Sequence, residues 1–156
     1  MSSLKNSVII VNDNTDLVNL FTDVLEQQRF VTYGFTDPSL ALKKIKSNPD
    51  QFSLMLTDYP TLRGSERTIA KEVKATNKNI KVVLTTGYDL SSVDISNEGY
   101  DKLLQIPVKI STLLSRIREM LLLTLLPIQC WLGSFIFAGF DHYAIPITIN
   151  KSKGVD

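Results

Sequence analysis

The sequence predicts an α/β fold, a doubly wound five-stranded parallel sheet, and three observations carry that prediction. Short apolar runs stop at polar residues: residues 8–11 at Asn12-Asp13, residues 52–57 at Asp58, and residues 81–84 at Thr85-Thr86-Gly87. A short apolar run bounded by breakers is a buried strand, and a polar residue that ends it stands at the strand's carboxyl end. Between the runs lie segments with apolar residues at helical spacing, and alternation of strand and helix builds a parallel sheet. In such sheets chemistry sits at the carboxyl ends of the strands, which makes Asp58, Asn12-Asp13 and Thr86 one candidate site.

Each element has its own local cause. Leu17, Leu20, Phe21, Val24 and Leu25 form one apolar stripe over residues 15–28, an amphipathic helix after the first strand. Residues 30–35 are β-rich and make the second strand. Asp37-Pro38 supplies a cap and a proline at the first helical position for a helix carrying Leu40, Ala41 and Ile45 and ending near Asn48-Pro49. The third strand then runs to Asp58. Ser65 is placed to cap a third helix over residues 66–75, with Ile69, Ala70 and Val73 as its stripe, and residues 80–85 form the fourth strand. Residues 91–100 hold Ser, Asp, Asn and Gly99, so the fourth helix is expected short or irregular. Residues 102–106 are the fifth strand, and Ile110, Leu113, Leu114, Ile117, Met120 and Leu121 line a fifth helix over residues 109–121.

An acidic pair position, a lone Asp about 45 residues on, and a hydroxyl before a small residue about 28 further form a constellation. On it, residues 7 to about 120 resemble a response-regulator receiver domain, the phosphoacceptor half of two-component signalling, with a flavodoxin-like (βα)₅ fold. The resemblance implies an acidic pair after strand one, an acceptor Asp ending strand three, Thr or Ser ending strand four and Lys-Pro ending strand five. Those positions here are Asn12-Asp13, Asp58, Thr86 and Ile106-Pro107, so two family residues are replaced. Leu103 stands where many receivers carry an aromatic switch residue, and the loop after Asp58, Asp-Tyr-Pro-Thr-Leu-Arg-Gly, is about two residues shorter than the family's.

The chemistry that this implies is phosphorylation of Asp58 from a histidine kinase or phosphotransfer protein, with Mg²⁺ as cofactor. Asn12, Asp13 and Asp58 are the implied metal ligands, since Mg²⁺ takes oxygen donors and waters. The backbone carbonyl of Pro60 is the family's further ligand. Thr86 is implied to hydrogen-bond the phosphoryl group, Gly87 to leave it room, and Arg63 is the candidate cation in place of the missing lysine. The site charge is minus two with or without the double replacement, because Asn12 removes one negative charge where Ile106 removes one positive. The chain is expected to be a phosphoacceptor signalling protein rather than an enzyme, acting on a downstream protein target. The alternative is a phosphorylation-independent pseudo-receiver that serves as a protein-interaction module.

Composition narrows the classes further. With 156 residues, 44% of them hydrophobic, the chain is one domain with a short addition. A net charge of +1 gives no field for nucleic acid, and residues 119–150 hold no Lys or Arg, so no DNA-binding module is expected there. One cysteine, Cys130, forms no internal disulfide, in keeping with a cytoplasmic location, and the amino terminus lacks a secretory apolar region. His142, the single histidine, sits beside Asp141 and Tyr143 as an ordinary tail residue.

The domain division is therefore residues 1–120, the receiver, and 121–156, a hydrophobic tail. Residues 121–140 are 20 in a row without charge, a length that just crosses a bilayer core as a helix of roughly 30 Å. Pro127, Gln129 and three small residues weaken the pattern. Three readings stand: a membrane segment with the receiver on the cytoplasmic side, a packing or dimerising tail, and a frameshifted carboxyl end. A chain ending at Met120 is expected to be soluble, monomeric and folded, while the full chain sediments with membranes. A full chain that stays in the supernatant without detergent as a dimer, and becomes monomeric on truncation, assigns the tail to packing instead.

Overall fold

The computed structural model describes residues 6–58, 68–89, 91–92, 94–95 and 97–121. Five strands and four helices follow one another: β1 (Ser7–Val11), α1 (Thr15–Gln27), β2 (Val31–Phe35), α2 (Pro38–Ser47), β3 (Leu54–Asp58), α3 (Ile69–Thr76), β4 (Lys81–Thr86), β5 (Lys102–Gln105) and α4 (Ile110–Met120). All neighbours pair in parallel, in the order β2-β1-β3-β4-β5. Successive side chains of a strand point to opposite faces, and both faces here are apolar. Val8, Ile10, Leu54, Leu56 and Val83 pack with α1 and α4 on one face, while Ile9, Val11, Met55 and Val82 pack with α2 and α3 on the other. The sheet is thus doubly wound, as the sequence predicts.

Helix starts follow from capping. Asn14 caps α1 by accepting from the N–H groups of Asp16 at 2.9 Å and Leu17 at 3.3 Å, and Asp37 caps α2 through Ser39 N–H at 2.8 Å with Pro38 next. Gly34 lets α1 lie close on β2, since a Cβ there would come within 2.5 Å of Val18 Cγ1. The third helix departs from expectation: it starts at Ile69 with Thr68 as its cap, later than the predicted Glu66 start with Ser65 as cap. The Thr68 hydroxyl accepts from Lys71 N–H at 3.3 Å and donates to the Glu98 carbonyl at 2.8 Å, so one side chain both caps α3 and ties it to the next loop. Ser65 itself lies outside the described residues.

A second departure concerns the expected fourth helix: among the described residues between β4 and β5 there is no helix, and four helices rather than five are present. The physical reason is competition by side chains. Asp89 accepts from Ser91 N–H at 2.9 Å, a local turn that replaces helical bonding, and hydrogen bonds from Ser91 hold the Asp89 carboxyl below the usual carboxylate range. Gly99 then adopts φ +87°, which ends any right-handed turn, and its Cα lies against the backbone of Ala70 and Lys71. The segment is anchored by polar contacts instead: Lys71 pairs with Glu98 at 3.2 Å, Lys74 with Asp101 at 2.6 Å, and Asp101 accepts from Val82 N–H at 2.8 Å.

Among the described residues no helix is long and apolar enough to cross a membrane. The expected segment at residues 121–140 lies outside the described residues, apart from Leu121 as the C-cap of α4. The fold's stability rests on the central strands. Leu56, 1% exposed, loses about 2–5 kcal/mol on substitution by alanine, whereas Leu40→Ser, at a position 54% exposed on α2, changes stability by no more than about 0.5 kcal/mol. Urea denaturation of both variants checks the contrast.

Candidate functional site at the carboxyl ends of the strands

Register brings the predicted site together. Val11 of β1 pairs with Thr57 of β3, so the next residue, Asn12, is level with Asp58, and on the other side Asp58 pairs with Thr85 of β4, with Thr86 one residue further along that strand. Adjacent strands lie about 4.8 Å apart, which makes Asn12 and Thr85 first neighbours of Asp58 across the sheet edge and brings Thr86 to the same end of the sheet. Asp13 follows Asn12 and is exposed, and Asp58 is half-buried. The ends of three neighbouring strands thus converge on one small area, and the sequence needed only apolar runs of matched length to arrange it.

The turn after β1 is tightly bonded. Asn12 N–H continues the ladder by donating to the Phe35 carbonyl at 3.1 Å, and Asn12 Oδ1 accepts from Asn14 N–H at 2.8 Å. Its other amide atom, Nδ2, is buried with no hydrogen-bond partner among the described residues. At the end of β4, Thr85 Oγ1 donates to the Thr57 carbonyl at 3.1 Å and locks β4 to β3. Thr86 is buried, and its Oγ1 accepts from Tyr88 N–H at 3.1 Å, which leaves the hydroxyl hydrogen for another acceptor. Of two adjacent threonines, one therefore braces the sheet and one holds the following loop.

The fifth strand contributes packing rather than charge. Ile106 N–H donates to the Thr86 carbonyl at 2.7 Å, so position 106 sits beside the site, but the Ile106 side chain is 6% exposed and belongs to the apolar cluster with Leu104, Val83 and Ile110. The peptide bond to Pro107 is cis.

A receiver domain from Clostridium thermocellum matches this structure with a TM-score of 0.66 at 19% identity, covering 74% of this chain and 93% of that one. The fold is that of a receiver domain. A CheY-like receiver from Methanospirillum hungatei is 26% identical over 76% of this chain and 94% of its own, with a TM-score of 0.62. The Thermotoga maritima response regulator TrrA, solved in complex with Mg²⁺ and BeF, gives a TM-score of 0.61 at 19% identity over 73% of this chain and 97% of its own. No protein-family model matches the sequence.

In this receiver fold the donor set can be tested against Mg²⁺. Asp13 and Asp58 offer carboxylate oxygens at adjacent strand ends, which suits a hard cation that takes few carboxylates and keeps several waters. Asn12 Oδ1 already accepts from Asn14 N–H, which uses one of its two lone pairs, and the other amide atom, Nδ2, is a donor. Among the described residues no three His, Cys, Asp or Glu side chains cluster as a metal site. Arg63 and Pro60 lie outside the described residues. Sequence reasoning missed the Asn12 orientation and the division of labour between Thr85 and Thr86, and no sequence signal distinguishes either.

Proposed function

We propose that this chain acts as the receiver of a response regulator, taking a phosphoryl group onto Asp58 from a histidine kinase or phosphotransfer protein and passing the signal to a downstream protein. The observation that supports the reading is the adjacency of Asp13, Asp58 and Thr86 at the ends of three registered parallel strands. In the transfer, a carboxylate oxygen of Asp58 attacks phosphorus, the bond from phosphorus to the donor's imidazole nitrogen breaks, and that nitrogen keeps the electron pair and regains a proton. Asp13 and Asp58 would hold Mg²⁺, which would neutralise charge between the carboxylate and the phosphoryl oxygens. The Thr86 hydroxyl donates its free hydrogen to one of those oxygens while its oxygen keeps accepting from Tyr88 N–H, which links the phosphate to the loop after β4.

One observation favours the second reading, a pseudo-receiver that acts as an interaction module: Ile106 is packed into the core and offers no donor. A charge-assisted hydrogen bond is worth about 1.5–3 kcal/mol, so its loss slows the steps it serves by roughly one to two decades without closing the route. Incubation of the full chain with Mg²⁺ and acetyl phosphate, followed by intact mass, separates the readings. The wild type gains one phosphoryl group, and Asp58→Asn gains none. A folded wild type that gains none in millimolar Mg²⁺ is a pseudo-receiver.

A further inference from the structure

The buried amide of Asn12 has a bonding pattern that the proposed phosphoacceptor role leaves unexplained. Asn12 is 1% exposed, and its Oδ1 is committed to Asn14 N–H at 2.8 Å. That bond fixes the two ends of the amide, since a backbone N–H needs an oxygen opposite it and not a second donor. Nδ2 is left buried and without a partner among the described residues. Buried polar groups are nearly always paired, so a donor that stays unpaired marks a place where an acceptor arrives from outside the protein.

The register says which acceptor. Asn12 and Asp58 are the residues next after the Val11–Thr57 pair and at the Asp58–Thr85 pair, and continued alternation puts both on the face of Val8, Ile10, Leu54 and Leu56. Asn12 is level with Asp58 across the β1–β3 ladder, and Nδ2 bonds to nothing described. The missing acceptor is therefore one that comes with a ligand on Asp58. Ile106, on the same face, contributes hydrocarbon where a cation would otherwise meet such a ligand. We infer that Asn12, rather than ligating a cation, donates from Nδ2 to an oxygen of the phosphoryl group carried by Asp58, so that a neutral donor at the end of β1 takes the part left vacant at the end of β5. The inference rests on the phosphoacceptor reading.

Beryllofluoride binding to the full chain at saturating Mg²⁺ tests it, together with a separate Mg²⁺ titration. Asn12→Asp keeps the acceptor for Asn14 N–H but removes the donor, and Asn12→Ala removes the donor without adding charge. Loss of one charge-assisted hydrogen bond predicts about tenfold weaker beryllofluoride binding by both variants. Mg²⁺ affinity stays within about twofold of the wild type in Asn12→Ala, because no cation ligand is lost. If Asn12→Asp binds beryllofluoride as tightly as the wild type, or Asn12→Ala binds Mg²⁺ far more weakly, Asn12 is a cation ligand and the inference is overturned. Thermal melts without ligand establish that each variant is folded; should Asn12→Ala unfold, Asn12→Asp, which retains the turn, decides. A wild type that binds no beryllofluoride at all removes the phosphoacceptor reading and the inference with it, whereas binding that is indifferent to position 12 removes the inference alone.

Discussion

The parallel register of β1, β3 and β4 is the constraint on which everything else depends. These strands are apolar on both faces, so each must be covered by helices on both sides, and the pairing is held by burial rather than by any one contact. A slip of one residue would send every side chain of a strand to the opposite face. At the strand ends the same slip would separate Asn12, Asp58 and Thr86. The site is therefore fixed by the core: the force that buries Leu54, Met55 and Leu56 also sets Asp58 level with its neighbours.

Charge at this site is handled sparingly. Among the described residues two aspartates carry it, beside neutral groups: the Asn12 amide, two threonine hydroxyls and an isoleucine. Position 106 illustrates the balance. An isoleucine there joins the apolar cluster with Leu104 and Ile110, and an asparagine at position 12 spares the site a third carboxylate. The stretch between β4 and β5 has gone the other way and is fastened by charge, through Lys71 with Glu98 and Lys74 with Asp101, where a helix would have used apolar packing.

How much was legible in the sequence follows from which forces are local. Strands β1, β3 and β4 were visible because continuous apolar runs ending at Asn12, Asp58 and Thr85-Thr86 leave few alternatives, α1 and α4 because of their apolar stripes, and α2 because of its Asp37-Pro38 cap. The start of α3 was not, since Thr68 was selected as cap by a tertiary bond to the Glu98 carbonyl that no neighbouring residue announces. The absent helix between β4 and β5 was half legible: Gly99 and the Ser, Asp and Asn content weakened it, but the pinning of the loop to α3 is a long-range fact. The placement of Asn12, Asp58 and the Thr85-Thr86 pair at neighbouring strand ends was legible from the spacing of the apolar runs. The direction of the Asn12 amide was not, because it depends on which backbone N–H the folded turn places against Oδ1. Residues 59–67 and 122–156, which include Arg63 and most of the hydrophobic tail, lie outside the described residues.

The central claim, that this sheet edge presents Asp58 as the group that bears phosphate, is tested most directly by chemical trapping. An aspartyl phosphate is an acyl phosphate, and borohydride reduces it to homoserine, leaving a permanent mark at the residue that carried it. Treatment of the full chain with acetyl phosphate and Mg²⁺, then borohydride, then peptide mass mapping, is predicted to place homoserine at position 58 and nowhere else. Homoserine at Asp13, or its absence from the peptide containing Asp58 while the protein remains folded, contradicts the account.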